Sequence, residues 1–246
     1  MVIAILLFSI GLIFMPALKI YTFLIIEAII IPSFVLLKYY WNVIKPEKLY
    51  IVIILSSIIG IIWDYFAIKI GFWYFPEEGL FSFIGIPIQE FIFFIFYPML
   101  IIGTYHIIRK NNFTVPWLHL KEKYCIYLVG IFQLTYLFIT FITNRVTYLG
   151  LILFFAGAPS FYFLFRERER LHKYSLFFSI IILNAISIFI DYLAIKNNAW
   201  NYNNDFLIGK IGIIPIESIF FTTFITTVII GLYETLPDKN VFFEKW

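Results

Sequence analysis

Four carboxylic acids stand in stretches otherwise built from apolar and aromatic side chains: Asp64, Glu90, Asp191 and Glu217. An ionisable group within the hydrocarbon costs at least about 2.5 kcal/mol on insertion scales, so it marks a working site by default. The acids come as two pairs, Asp64 recurring as Asp191 and Glu90 as Glu217, both 127 positions on. In a medium of low dielectric one carboxyl can keep its proton near neutral pH while a second stays ionised, which supplies a general acid and a general base within one site. Beside the glutamates the copies differ, Gln89-Glu90 against Glu217-Ser218, and the residues do not say which half supplies acid and which base. Paired acids can serve structure alone, bonded to tyrosines or helix ends. Two pairs at one spacing favour function.

Aromatic residues repeat with the acids. Trp73 and Trp200 flank the outer ends of apolar stretches and suit a lid over a chamber, whereas Tyr74 and Tyr202 read as an interfacial belt. Phe93, Phe94, Phe220 and Phe221 follow the glutamates by three and four residues, hence on the same helical face. Aromatic faces stabilise cations, although packing explains any single Phe in a chain with 31 of them. Lys69 and Lys196, one turn outward from the aspartates, are expected to snorkel to the interface. Glu27 lies mid-span and has Phe154 as its counterpart, so it is either a pore-facing acid or a helix–helix hydrogen bond.

The elements that must position these groups also repeat. The stretch from Asp64 to Phe94 is echoed by Asp191–Phe221, and the same offset reaches Tyr21/Tyr148 and Pro32-Ser33-Phe34 against Pro159-Ser160-Phe161; only the prolines slip by one, Pro87 against Pro215. A fixed period over such a length predicts an internal duplication, with repeats at 1–123 and 124–246. The chain has 246 residues, 62% hydrophobic and 13% charged, the composition of a membrane protein. A helix needs about 20 apolar residues to cross the bilayer core. That length predicts spans near 2–18, 20–37, 49–72, 84–108, 124–142, 147–165, 174–196 and 211–234. The expected fold is all-α: a polytopic transmembrane bundle of two parallel tandem repeats, with eight spans or, if the first is not one, seven.

Basic residues set the orientation. Lys38, Lys45, Lys48, Arg109, Lys110 and the run at 166–170 gather on one side, which places both termini in the cytoplasm and the loops at 73–83 and 197–210 outside. Parallel repeats place a site at their interface. With Asp64 nine residues before Trp73 and Glu90 six after a helix start at Ile84, each acid lies roughly 9–14 Å below the outer boundary, so all four share one depth.

Several functions are excluded or left without a signal. A scattered net charge of +3 does not suit nucleic acid. The lone Cys125 builds neither a disulfide framework nor a thiolate metal site, and His106, His119 and His172 have no metal-ligand spacing. No glycine-rich dinucleotide fingerprint follows a strand, so no cofactor is signalled.

Trp63-Asp64-Tyr65, Gly71-Phe72-Trp73 and Pro87-Ile88-Gln89-Glu90 followed by Phe93-Phe94 resemble the membrane-integral lycopene cyclase domain, whose archaeal members fuse two copies in one chain. Asp191, Ala194, Trp200, Pro215-Ile216-Glu217 and Phe220-Phe221 match the second domain of such fusions, so the resemblance covers residues 20–232. The family's paired glutamates are Gln89-Glu90 and Glu217-Ser218 here, so each copy keeps one. The resemblance implies lycopene as substrate, β-ionone rings as product through γ-carotene to β-carotene, and association with other carotenoid-pathway enzymes within the bilayer; the topology alone places the chain in the cell membrane. The resemblance also implies no net redox change, Glu90 and Glu217 as acid and base, Asp64 and Asp191 in support, and Trp73 and Trp200 shaping the chamber. A proton-coupled transporter would also carry acids at a repeat interface. A retinal protein would need a lysine in the last span, which has none. A related end-group hydratase or an ε-forming cyclase would share the first protonation.

Overall fold

A computed structural model describes residues 20–76, 81–111, 122–143 and 152–237 of the chain. The span expected at 2–18, His119 and both termini lie outside these residues. The protein is a helical membrane bundle. Helix α1 (Ile20–Ile25) runs through a π-helical turn (Ile26–Ile30) into α2 (Ile31–Tyr40), followed by α3 (Pro46–Ile70) and three two-residue strands, β1 (Trp73–Tyr74), β2 (Ser82–Phe83) and β3 (Ile86–Pro87). Then come α4 (Ile88–Lys110), α5 (Glu122–Thr143), a second π turn (Leu153–Gly157), α6 (Ala158–Phe165) and α7 (Lys173–Lys196). Strand β4 (Asn201–Tyr202), the hairpin of β5 (Lys210–Ile211) and β6 (Ile214–Pro215), and α8 (Ile216–Thr235) close the chain. Five stretches are long and apolar enough to cross a membrane: Thr22–Tyr40, α3, α4, α7 and α8. Tyr124–Thr135 and Phe155–Phe165 are shorter apolar helices, so eight full spans are not seen among the described residues.

Several local features recur about 127 residues apart. Both π turns end one residue before a proline's neighbour, Ile31-Pro32 and Ala158-Pro159. A proline without an N–H breaks the regular ladder one turn back, and the turn widens to accommodate it. Helix α3 stops at Gly71 (φ 83°), where the Phe72 N–H reaches the Ala67 carbonyl; beyond α7, Asn198 (φ 57°) takes the left-handed position and the Ala199 N–H reaches Ala194. Glycine or asparagine is what this C-terminal conformation favours. A Cβ on Gly103 would meet Leu36 at 2.7 Å, and one on Gly231 would meet Phe163 at 2.3 Å, so two helix pairs approach closely through matching notches.

Helices α4 and α8 are the centre of the bundle. Of their apolar stretches 61% and 67% is buried, against 22% for α3 and 33% for α7. Leu100, Ile101 and Tyr105 of α4 cluster with Leu176 and Leu183 of α7 and Ile230 of α8. Tyr50, Ile54, Ile58 and Ile62 of α3 are exposed, as a lipid-facing stripe should be. Pro98 interrupts the interior of α4 and leaves the Phe94 carbonyl without its helical donor; Ser57 Oγ of α3 donates to that carbonyl at 3.0 Å instead. Ser57→Ala should therefore loosen the α3–α4 pair by about 0.6 kcal/mol, the mean for such bonds in a bilayer, read as a small drop in the detergent melting temperature.

Two expectations need correction. The spans predicted from 84 and 211 begin later, at Ile88 and Ile216, because the preceding residues form tight hairpins in which Ser82 pairs with Pro87 and Lys210 with Pro215. Ile84 and Gly85 in the first turn, and Gly212 in the second, have positive φ, as two-residue hairpin turns require. Glu90 and Glu217 consequently sit in the first turns of α4 and α8, rather than several residues down a helix. A third ribbon joins the two halves: β1 pairs antiparallel with β4, Trp73 opposite Tyr202 and Tyr74 opposite Asn201.

Candidate active site

Beneath the β1–β4 ribbon lies a cavity of about 120 Å³ into which both halves contribute. Helix α3 supplies Trp63 and Asp64, α4 supplies Glu90, Phe93, Phe94 and Tyr97, and α7 supplies Ser187 and Asp191. From α8 come Ser218, Phe221 and Thr222, and from the ribbon Trp73, Trp200 and Tyr202. Three of the four expected acids thus share one chamber. Asp64 is 2% exposed and Asp191 6%.

The two aspartates have different surroundings. Asp64 Oδ2 is buried with no hydrogen-bond partner among the described residues. Asp191 has the hydroxyls of Ser218 and Tyr202 and the Trp200 ring beside it. Ser218 Oγ lies 3.3 Å from the Tyr202 hydroxyl, and Thr222 Oγ1 lies 2.9 Å from Ser187 Oγ, so the chamber carries two bonded pairs of hydroxyls. Burial holds the Tyr202 phenol well above its usual range, and the nearby Asp191 and Glu90 push it further, so it keeps its proton.

The remaining walls are aromatic. Trp63 stacks on Phe221 at 5.5 Å and lies 6.0 Å from Trp73, whose ring meets Tyr202 edge-on at 6.2 Å. Phe93 stacks on Tyr97 at 4.6 Å. Such π faces attract a cation within about 6 Å of their centres.

Glu217 and Phe220 do not belong to this chamber, contrary to expectation. Glu217 is fully buried and accepts the backbone N–H of Ile208, which ties the outer loop to the start of α8. Phe220 turns the other way and stacks on Phe132 of α5 at 4.6 Å. Matching hairpin registers explain both. They align Ile86-Pro87-Ile88-Gln89-Glu90 with Ile214-Pro215-Ile216-Glu217-Ser218, an offset longer by one. Glu217 therefore corresponds to Gln89, which is 1% exposed and donates to Thr22 Oγ1 at 2.9 Å, while Ser218 corresponds to Glu90. Phe221 corresponds to Phe93, and both face the chamber. Since Gln can accept the Ile208 N–H as Glu does, Glu217→Gln should keep near-normal function and stability. Glu217→Ala should lower thermal stability by about 1–3 kcal/mol, the cost of a buried N–H left unpaired, measured by melting in detergent.

Tyr202, read as a belt residue, is instead a chamber residue, and Trp63, Tyr97, Ser187, Ser218 and Thr222 join it. The slip of the prolines was the available signal for Ser218; Trp63 stands directly before Asp64, and Tyr97 lies one turn beyond Phe93. Lys69 and Lys196 stay outside, over the rings of Tyr65 and Tyr192 at 5.8 and 5.5 Å. Among the described residues, no three His, Cys, Asp or Glu side chains form a metal-binding group. Compared with protein-family models, with curated proteins and with solved structures, the chain matches none of them.

Proposed function

We propose that the protein is a carotenoid end-group cyclase, converting the open ψ-ends of lycopene to β-ionone rings by acid–base chemistry without net redox change. The observation that carries this reading is the convergence of Asp64, Glu90 and Asp191 with the faces of Trp63, Trp73 and Phe93 in one chamber of a membrane bundle. Of the three acids that line the chamber, Asp64 is the one with a buried carboxyl oxygen that no donor meets, and it is the acid, because its ionised form would have the least to offset its desolvation. It donates to C2 of the terminal double bond and leaves a cation at C1. The C5–C6 π electrons close the C1–C6 bond, and the cation passes to C5 beneath the aromatic faces. Asp191 takes the proton from C6, and the remaining pair forms the ring double bond. One proton enters and one leaves. Glu90 and the Tyr202 hydroxyl lie on the route by which Asp64 is reprotonated.

In the same reading the bundle is two parallel repeats with the pseudo-twofold axis through the β1–β4 ribbon, and both termini are cytoplasmic in the cell membrane. Expression in a lycopene-accumulating host, with chromatography of the pigments, tests it. Loss of lycopene with gain of γ- or β-carotene is the expected result. Unchanged lycopene beside folded, inserted protein would overturn it in favour of a proton-coupled transporter using the same acids.

A further inference from the structure

A second cavity, of about 240 Å³, adjoins the acid chamber on its inward side. Trp63, Phe93, Phe94, Tyr97 and Phe221 line both, so the two spaces are separated only by aromatic rings. The second is almost wholly apolar, walled by α3, α6 and α8 through residues such as Ile59, Phe163, Ile225 and Val228. Protein interiors are close-packed with few voids larger than a water molecule, and an apolar void of about 150 Å³ already holds benzene. A larger one beside a reactive chamber is a place for hydrocarbon. Leu55 and Ile59 line it and are also 39% and 42% exposed on the lipid-facing side of α3, so the cavity has a lateral mouth. From Ser218 in the chamber to Leu232 at the far end, the two spaces extend about 21 Å along α8, far more than one ring needs. Gly60 lines the second cavity, and a Cβ there would stand 2.2 Å from the Phe94 ring, so the absence of a side chain lets that ring lie back against α3.

We propose that the second cavity receives the hydrocarbon chain of the polyene whose end group occupies the acid chamber, admitted sideways from the bilayer between α3 and α6. The proposal rests on the cyclase reading for the identity of the polyene, while the channel itself rests on the two adjoining cavities. The aromatic partition then acts as a ruler: the ψ-end passes it and the conjugated chain stays behind, out of reach of the acid.

The test expresses the full chain, Val228→Trp, Leu55→Trp and the control Ile54→Trp in a lycopene-accumulating host. Pigments are measured in the membranes and in the purified protein. Ile54 is 58% exposed, so Trp there adds bulk only toward lipid. Leu55 sits at the mouth and tolerates size, which covers the case in which the deeper Val228→Trp fails to fold. Expected are conversion and retained polyene in the wild type and Ile54→Trp, and a loss of tenfold or more in both for the two blocking variants. Undiminished conversion by folded Val228→Trp and Leu55→Trp would overturn the channel and leave the cyclase standing. Retained lycopene that is lost on blocking, without conversion by the wild type, would support the channel and overturn the cyclase. Neither conversion nor retention in the wild type would overturn both.

Discussion

If the protein cyclises lycopene as proposed, Asp64→Asn will lower the conversion by about 10²–10⁴-fold, the usual contribution of a positioned general acid, with the amount of membrane-inserted protein unchanged. The amide is isosteric, and Asp64 Oδ2 has no partner whose loss would disturb packing, so the effect falls on chemistry. Asp191→Asn will fall in the same range for a different reason. Its carboxyl is the proposed base, and an amide has no basic oxygen to take the proton from C6. Tyr202→Phe removes one of the hydroxyls beside Asp191 and should cost less than either. Pigment ratios normalised to immunoblotted protein measure all three. If Asp64→Asn converts normally while Glu217→Gln does not, the acid has been placed in the wrong half of the molecule.

Gly231→Ala will destabilise the bundle by about 1–3 kcal/mol, the range for overpacking, or roughly 2–12 °C in melting temperature for a protein of this size. The added Cβ would meet Phe163 at its Cγ (2.3 Å) and at its Cβ (2.8 Å), so rotating the ring does not remove the clash. Phe163→Ala introduced with Gly231→Ala should restore part of the loss, and a double-mutant cycle isolates that coupling. Gly103→Ala should also destabilise, because the added carbon would meet the Leu36 Cβ at 2.7 Å, and a change of rotamer does not move that atom. Additive losses in the Gly231/Phe163 cycle would mean that α6 and α8 shift apart rather than clash.

Much of the architecture was legible in the residues. The apolar stretches located the described spanning helices to within a few residues. Asp64, Asp191, Trp73, Trp200, Phe93, Phe94 and Phe221 were named from spacing and all line the chamber. The helix starts were misplaced because Phe81–Ile86 and Ile211–Ile214 are as apolar as the helices they precede, and hydropathy does not distinguish a hairpin from a helical turn. Tyr202 escaped notice because an interfacial tyrosine and a tyrosine folded inward beneath a ribbon have the same local sequence; the pairing of Trp73 with Tyr202 decides between them.

The amino-acid sequence by itself determined that this is a membrane protein, that acids and aromatic rings recur together at one interval, and that they lie toward one end of their helices. Insertion cost and periodicity are properties of local composition, and composition is what a sequence displays. Only the tertiary structure decided which of those side chains meet. One extra residue between Ala199 and the β4 strand moves the second hairpin out of step, and each residue turns a helical side chain by about 100° about the axis. That single step carries Glu217 away from the chamber to the Ile208 N–H and brings Ser218 to the place Glu90 occupies in the other half. In the sequence that shift shows only as the one-place slip of the prolines, yet it sets which carboxyl groups share the site.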